Sequence, residues 1–186
     1  MARVLIPLAQ GCEELEAVSI IDLLRRADIE VVTAGLAEGA VTCSRGVVIV
    51  PDTSLDEVLG DDFDMMVLPG GLPGADHLDE DVRIRRMLQQ LAERGKYTAA
   101  ICAAPKVLAN AGLLRGKQAT SYPGVIDAMQ LEDTHYVDDQ AVVVDGKVIT
   151  SRGPGTAMDF ALELIEKLAG AAQRNAVEAS LVRPAK

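Results

Sequence analysis

Residues 96–108 read Lys-Tyr-Thr-Ala-Ala-Ile-Cys-Ala-Ala-Pro-Lys-Val-Leu, and the rest of the architecture can be traced from this segment. Residues 98–102 are small or apolar and suit a buried strand, and the residues after Pro105 suit a helix. Proline is tolerated in a first helical turn, where one backbone N–H lacks a partner in any case. Cys102 lies at the junction between the predicted strand and the predicted helix. The pattern therefore predicts a cysteine on a tight strand-to-helix turn.

A thiol on such a turn lies near the positive end of the helix dipole, which favours the thiolate. The dipole supplies roughly 0.3–1 kcal/mol when exposed and ~2 kcal/mol when partly buried. Lowering a thiol pKa from about 8.5 to below 7 takes roughly 2 kcal/mol. We therefore expect a moderately acidic Cys102, with a hydrogen-bond donor needed for greater acidity. The alternative interpretation is a small buried hydrophobic residue, as most free cysteines are.

Strands and helices alternate on both sides of this turn, which predicts right-handed parallel crossovers and a parallel central sheet. We expect residues 1–186 to form a single α/β domain. The predicted strands are 3–8, 29–34, 63–68, 98–102 and 117–122, with a hairpin at 41–50 and an antiparallel meander of 136–137, 141–144 and 148–150. The predicted helices are 13–27, 55–59, 82–94, 102–111, 157–168 and 171–182.

The composition is that of an ordinary globular protein, with 186 residues, 49% of them hydrophobic and 25% charged. A net charge of −10 and the absence of Trp argue against nucleic acids and anionic membranes as partners. No apolar run approaches a membrane span or a signal peptide. The three cysteines form neither a CxxC pair nor a metal-ligand spacing. We therefore expect a cytoplasmic protein without a bound metal.

Three loops follow the carboxyl ends of predicted strands, at 9–14, 69–74 and 102–105, where open α/β sheets bind ligands. The adjacent glycines Gly70 and Gly71 allow close approach to a ligand. Together with the N–H of Ala103, their N–H groups are candidates for an oxyanion hole. The alternative role for the Pro-Gly-Gly sequence is a structural turn.

The first of these loops leads into Glu13, Glu14 and Glu16. An ionised carboxylate beside Cys102 raises the thiol pKa, whereas a protonated one donates a hydrogen bond and shares a single proton with the sulfur. The alternative is that these residues simply complement the dipole of the first helix.

Other candidates for the same pocket are Arg45 and Arg152, as ligands for a small anion, and Tyr122, as a phenolic proton donor. Surface ion pairs are the alternative for both arginines, and packing is the alternative for Tyr122. Neither histidine, at 77 or 135, is close in sequence to the cysteine turn. Walker and dinucleotide glycine motifs are missing, so no nucleotide cofactor is expected.

The chain resembles the ThiJ/PfpI superfamily over nearly its whole length, and within it the branch of the Parkinsonism-associated deglycase and the bacterial YajL proteins. Five segments in the expected order carry the resemblance: Gly11-Cys12-Glu13-Glu14-Leu15-Glu16, Cys43-Ser44-Arg45, Leu68-Pro69-Gly70-Gly71, Ala100-Ile101-Cys102-Ala103-Ala104-Pro105 and Thr150-Ser151-Arg152-Gly153-Pro154-Gly155-Thr156.

This resemblance implies a flavodoxin-like three-layer sandwich and a homodimer, and we expect an enzyme without a cofactor. It also implies that Cys102 is the reactive, easily oxidised thiol, that Glu16 is the protonated carboxylate touching it, and that Gly71 and Ala103 supply N–H groups. The activities implied are glyoxalase-type conversion of methylglyoxal, deglycation of glyoxal-derived adducts, redox sensing and chaperone action. We therefore expect either a cysteine-dependent glyoxalase or deglycase that protects against oxidative stress, or a redox sensor and chaperone whose cysteine is oxidised to sulfinate.

Two positions depart from the superfamily's patterns. Ala103 stands where protease-like members carry a histidine, so peptidase activity is not expected. Tyr122 stands where much of the deglycase branch carries a histidine, which bears on the rate of carbonyl chemistry rather than its type.

Overall fold

A computed structural model describes residues 1–183 of the chain. The strands are β1 (Arg3–Leu8), β2 (Glu30–Gly35), β3 (Val41–Thr42), β4 (Val48–Ile49), β5 (Thr53–Ser54), β6 (Met65–Leu68), β7 (Tyr97–Ile101), β8 (Lys117–Ala119), β9 (Thr134–Tyr136), β10 (Val142–Asp145) and β11 (Val148–Ser151). The helices are α1 (Glu14–Arg26), α2 (Gly74–Glu80), α3 (Val82–Glu93), α4 (Pro105–Asn110), α5 (Ala157–Ala169) and α6 (Ala171–Ser180).

A seven-stranded sheet runs through the centre in the order β10-β11-β7-β6-β1-β2-β5. All neighbouring strands in it are parallel except β10 and β11, which form an antiparallel edge. The connection from β1 leads outward to β2, whereas the connection from β6 leads the opposite way to β7. The side on which the next strand is added therefore changes between β1 and β6, and ligands bind at such switch points in open α/β sheets.

Helices cover both faces of this sheet. Helix α5 packs on α1 and α6, while α2, α3 and α4 pack together as a second group. Right-handed crossovers in opposite directions place α1 and α3 on opposite faces. The expected flavodoxin-like three-layer sandwich with a mostly parallel sheet is confirmed. None of the helices within residues 1–183 combines the length and the apolar character needed to cross a membrane.

Several local predictions needed correction. The predicted helix 55–59 is a short 3₁₀ helix, Asp56–Val58. A turn at Asp145-Gly146 joins β10 and β11, but β9 does not extend this hairpin into the predicted meander. It pairs instead in parallel with β8, in a separate two-stranded sheet. The short strand β5 and helix α2 were not predicted, because β5 has only two residues and α2 begins at a glycine directly after a proline.

Phe160 of α5 is completely buried in the core. Its replacement therefore tests how much the packing of this helix contributes to stability. We expect Phe160→Ala to lower the free energy of unfolding by about 3–5 kcal/mol, through lost transfer energy and a residual cavity. Denaturant unfolding measures this change. On the same helix, Met158 is 45% exposed, so Met158→Ala is the matched control and should change stability by less than about 0.5 kcal/mol. Equal losses for the two variants would contradict the packing.

Candidate active site

Cys102 occupies the turn between β7 and α4, as the sequence predicts. Its backbone has a φ of +64°, a left-handed conformation that is costly for a residue with a side chain. Two hydrogen bonds hold it there. The Cys102 N–H donates to the Ser151 carbonyl at 3.0 Å, and the Tyr122 N–H donates to the Cys102 carbonyl at 2.9 Å. The strained turn is thus fixed from β11 on one side and from residue 122 on the other.

Glu16 reaches the sulfur from the first turn of α1. Glu13 caps this helix, with its Oε2 accepting the Glu16 N–H at 2.7 Å. The Glu16 side chain is completely buried, and its Oε2 accepts the Gly70 N–H at 2.8 Å. Its Oε1 receives no N–H or O–H hydrogen bond within residues 1–183. The carboxyl group is hydrogen-bonded to the Cys102 thiol.

The glycines after β6 make this contact sterically feasible. A Cβ on Gly70 would lie 2.6 Å from the Cys102 Cβ and 2.8 Å from Glu16 Oε2, so only glycine fits. Gly71 has a φ of +86°, and a Cβ there would lie 2.4 Å from the Glu13 nitrogen. The N–H groups of Gly71 and Ala103 both hydrogen-bond to the Cys102 sulfur. The structure therefore brings Cys102, Glu16 and three of the predicted backbone N–H groups together.

The acidity of Cys102 differs from the prediction. Burial raises the pKa of the Cys102 thiol to about 12, and the charge and hydrogen bond of Glu16 act in the same direction. The N–H groups of Gly71 and Ala103 lower this pKa but do not outweigh burial. Helix α4 has only 6 residues, so its dipole is a weak counterweight. The expectation of an acidic thiol from turn position alone is wrong.

The Glu16 carboxyl group has a pKa near neutral pH, which suits a group that accepts the proton of the Cys102 thiol. Burial raises the pKa of the Glu16 carboxyl to about 7, against the opposing hydrogen bonds from Gly70 and Cys102. Near neutral pH the carboxyl and the thiol together therefore hold between one and two protons. When they hold one proton, Glu16 can take it from the sulfur as the sulfur reacts.

The remaining predicted residues lie at different distances from this centre. Tyr122 is joined to Cys102 through its backbone, and its half-exposed ring lies against Gly153. Arg152 follows Ser151 directly and is partly buried, while the Arg45 side chain is exposed on the turn between β3 and β4. Neither arginine forms an ion pair with another residue in the described part of the chain, so the surface-pairing alternative is not observed. His77 and His135 are exposed, in α2 and β9.

Two structural features escaped the sequence analysis. The Ser151 carbonyl anchors the cysteine turn, and the only sequence signal for it was its place in the Ser-Arg-Gly-Pro-Gly segment. The thiols of Cys12 and Cys43 are in contact, which no local pattern indicates because 31 positions separate them.

A family model described as the DJ-1/PfpI family matches residues 2–167. The chain belongs to the DJ-1/PfpI family. Protein dj-1beta of Drosophila melanogaster is 51% identical over 167 residues, covering 89% of each chain. The crystal structure of Drosophila melanogaster DJ-1beta superposes with a TM-score of 0.94 and 46% identity, covering 99% of each chain.

One relative in the DJ-1/PfpI family carries an activity in its name. Glutathione-independent glyoxalase DJR-1.2 of Caenorhabditis elegans is 38% identical over 183 residues, covering 98% of this chain and 94% of that protein. The family resemblance inferred from the five sequence segments is thereby confirmed.

The pKa of Glu16 makes stability depend on pH. Its ordinary value is 4.5 and its folded value is about 7, so the folded protein binds this proton more tightly than the unfolded chain does. The resulting stability is fully present below about pH 4.5 and is lost as the pH rises to about 7. For this completely buried group the loss is roughly 3 kcal/mol. Denaturant unfolding across this pH window measures it.

The variant Glu16→Gln should flatten this part of the pH profile, because an amide does not titrate there. Glu57 is exposed, so Glu57→Gln is the control and should leave the slope unchanged. If wild type and Glu16→Gln share the same pH profile, Glu16 does not titrate with a raised pKa.

Proposed function

We propose that the chain is a cysteine-dependent glyoxalase or deglycase that acts on methylglyoxal or glyoxal-derived adducts without a cofactor. The observation that carries this proposal is the contact between the Cys102 thiol and a completely buried Glu16 carboxyl group, beside the N–H groups of Gly71 and Ala103. The name of the nematode relative, glutathione-independent glyoxalase, supports the same chemistry.

In the first step, the Cys102 sulfur attacks the aldehyde carbon and its proton passes to the Glu16 carboxylate. This general-base route needs no free thiolate, which agrees with the raised pKa of Cys102. The C–S bond forms as the carbonyl π electrons move to oxygen. The N–H groups of Gly71 and Ala103, which face the sulfur, stabilise the developing alkoxide, and the proton on Glu16 then converts it to a hemithioacetal.

In the second step, the Glu16 carboxylate removes the proton from the hemithioacetal carbon to give an enediolate and returns that proton to the neighbouring carbon, while the hemithioacetal hydroxyl proton moves to the oxygen of the neighbouring carbon. The product is a lactoyl thioester on Cys102. Water hydrolyses the thioester, releasing lactate and restoring the thiol. A single carboxyl group thus serves alternately as base and as acid, twice each, a use that suits a pKa near the working pH.

Tyr122 and Arg152 are the side chains that we assign to the substrate pocket, because their backbones adjoin the two hydrogen bonds that hold Cys102. Arg152 has no ion pair within residues 1–183, so its charge is available to a carboxylate product. Arg45 stays a predicted pocket residue. Its backbone N–H is bound to Glu14 at 2.9 Å, two positions before Glu16.

A redox sensor and chaperone is the second candidate, favoured by the same sulfur environment. Cys102 is 9% exposed, which admits a small oxidant. A sulfinate formed there would accept hydrogen bonds from the Gly71 and Ala103 N–H groups and from protonated Glu16. In this alternative, protection against oxidative stress depends on the oxidised protein rather than on turnover.

Replacement of Cys102 distinguishes the glyoxalase or deglycase function from the redox-sensor function. We expect Cys102→Ser to reduce methylglyoxal turnover to background and Glu16→Gln to reduce kcat by about 10²–10⁴-fold. The wild-type rate should rise with pH through about 7, because the pair must lose one proton before attack. Lactate formation, followed in a coupled assay, measures all three effects.

Two controls make this assay decisive. Cys43→Ser removes another buried thiol, distant in sequence from Cys102, and should retain wild-type turnover. Intact-mass analysis after mild peroxide treatment reports oxidation at Cys102 independently. Full turnover by Cys102→Ser would refute the catalytic mechanism, and selective oxidation of a wild type without turnover would favour the sensor.

We further propose that the protein is a homodimer whose interface is an exposed apolar surface of α1 and the β3–β4 hairpin. Within the described residues this surface consists of Leu15 and Val18 on the helix and Val47, Val48 and Val50 on the hairpin. The Glu14 carboxylate joins the two elements by accepting hydrogen bonds from Ser44 and Arg45. Exposed apolar patches of this kind mark protein interfaces, and a surface paired with itself gives a twofold dimer.

Val50 is 76% exposed, so a charge there has little effect on the isolated subunit. We expect Val50→Asp to weaken the dimer at least a hundredfold, because twofold symmetry doubles every interface charge and like charges there cost several kcal/mol. Sedimentation equilibrium measures the dissociation constant. Val82→Asp, at a 54% exposed position on α3, is the control that should remain dimeric. A monomeric wild type, or a Val50→Asp protein that dimerises normally, would refute this interface.

A further inference from the structure

Cys12 and Cys43 form a thiol pair that plays no part in the proposed catalytic site. Their Sγ atoms lie 3.5 Å apart, within hydrogen-bonding distance for sulfur. Cys12 is completely buried in the loop before α1, and Cys43 is 5% exposed at the start of the turn between β3 and β4. Both are free thiols. Two oxidisable groups are thus held against each other between separate elements.

The backbone around the pair is already fixed in register. The Gly11 N–H donates to the Thr42 carbonyl, and the Ser44 N–H donates to the Cys12 carbonyl, both at 2.8 Å. These bonds flank the two cysteines and hold the loop beside the hairpin. A disulfide has an S–S distance of about 2.05 Å, so the sulfur atoms need to approach by only about 1.5 Å.

We propose that Cys12 and Cys43 are a second oxidation site, which forms a reversible intramolecular disulfide independently of Cys102. The oxidant is hydrogen peroxide. The Cys43 sulfur attacks a peroxide oxygen, the O–O bond breaks, and the hydroxide leaves with the thiol proton as water, giving a sulfenic acid on Cys43. The Cys12 sulfur then attacks the Cys43 sulfur, the S–O bond breaks, and the sulfenic hydroxide leaves with the Cys12 thiol proton as a second water. Two electrons pass from the two sulfurs to one peroxide.

Cys43 is the member that meets the oxidant, because it alone of the two retains exposed surface. Burial raises the pKa of both thiols, with Glu13 and Glu14 acting in the same direction. Oxidation is therefore slow at neutral pH and faster in alkaline solution, where more thiolate forms. Geometry favours the disulfide over further oxidation, because the partner thiol is already at contact distance when the sulfenic acid forms.

The disulfide would couple the β3–β4 hairpin to the loop that supports the candidate active site. The residue after Cys12 is Glu13, whose N–H donates to the Gly70 carbonyl at 2.9 Å and whose side chain caps α1. Cross-linking positions 31 apart in sequence restricts the unfolded chain, so the oxidised protein should melt about 5 °C or more above the reduced protein.

The test uses the full chain with Cys102→Ser, so that the two remaining thiols are those of the pair. After hydrogen peroxide treatment of the native protein, we expect the intact mass to fall by about 2 Da and alkylation after denaturation to find no thiol. Peptide mapping should join residue 12 to residue 43. Reduction should restore both thiols and the original melting temperature.

Cys12→Ala and Cys43→Ala, each combined with Cys102→Ser, are the matched controls and should show no such mass loss. The proposal is overturned if both thiols stay alkylatable under peroxide that fully oxidises Cys102 in the wild type. It is equally overturned by a disulfide between two chains, by a gain of about 32 Da from sulfinate on either cysteine, or by an internal disulfide that lowers the melting temperature. Because neither sulfur takes part in the proposed carbonyl chemistry, these outcomes do not depend on glyoxalase activity.

Discussion

The Glu16 carboxyl group is held against the Cys102 sulfur by the loop that follows β6, where Gly70 has no side chain. Gly70 donates its N–H to Glu16 at 2.8 Å while passing so close to Cys102 that a Cβ would lie 2.6 Å from the cysteine's own. Any other residue there would push α1 away from β7. The segments that follow the neighbouring strands β7, β6 and β1 can thus pack against each other because the loop after β6 carries a glycine at position 70.

This close packing also sets the electrostatics. It removes water from a carboxyl group and a thiol together, and burial raises the pKa of both. The hydrogen bonds that remain are directed at the ionised forms, from Gly70 to the carboxylate and from Gly71 and Ala103 to the sulfur. The site therefore acquires a single negative charge only near neutral pH and accommodates a second one poorly. A proton that moves between the two groups is the natural chemistry of such a pair.

Sequence reasoning succeeded where one local pattern determines one element. The alternation of strands and helices predicted the parallel sheet, and the Ala-Ile-Cys-Ala-Ala-Pro segment predicted the strained turn at Cys102. It failed where the partner lies far along the chain. Nothing in residues 134–136 reveals that they pair with residues 117–119 rather than with the following hairpin. The predicted direction of the Cys102 pKa shift was wrong for the same reason, because the burial that raises this pKa comes from tertiary packing.

The loop at residues 11–13 links the two sulfur environments of the protein. On one side the Glu13 N–H binds the Gly70 carbonyl, so the loop braces the glycine turn that positions Glu16. On the other side Cys12 contacts Cys43 and its carbonyl accepts the Ser44 N–H. The two sites differ in what faces the sulfur. Cys102 meets a carboxyl group able to exchange a proton, whereas Cys12 meets a second thiol. Under the two proposals, the nearest neighbour of each buried cysteine determines its chemistry, which is carbonyl addition at Cys102 and disulfide formation at Cys12.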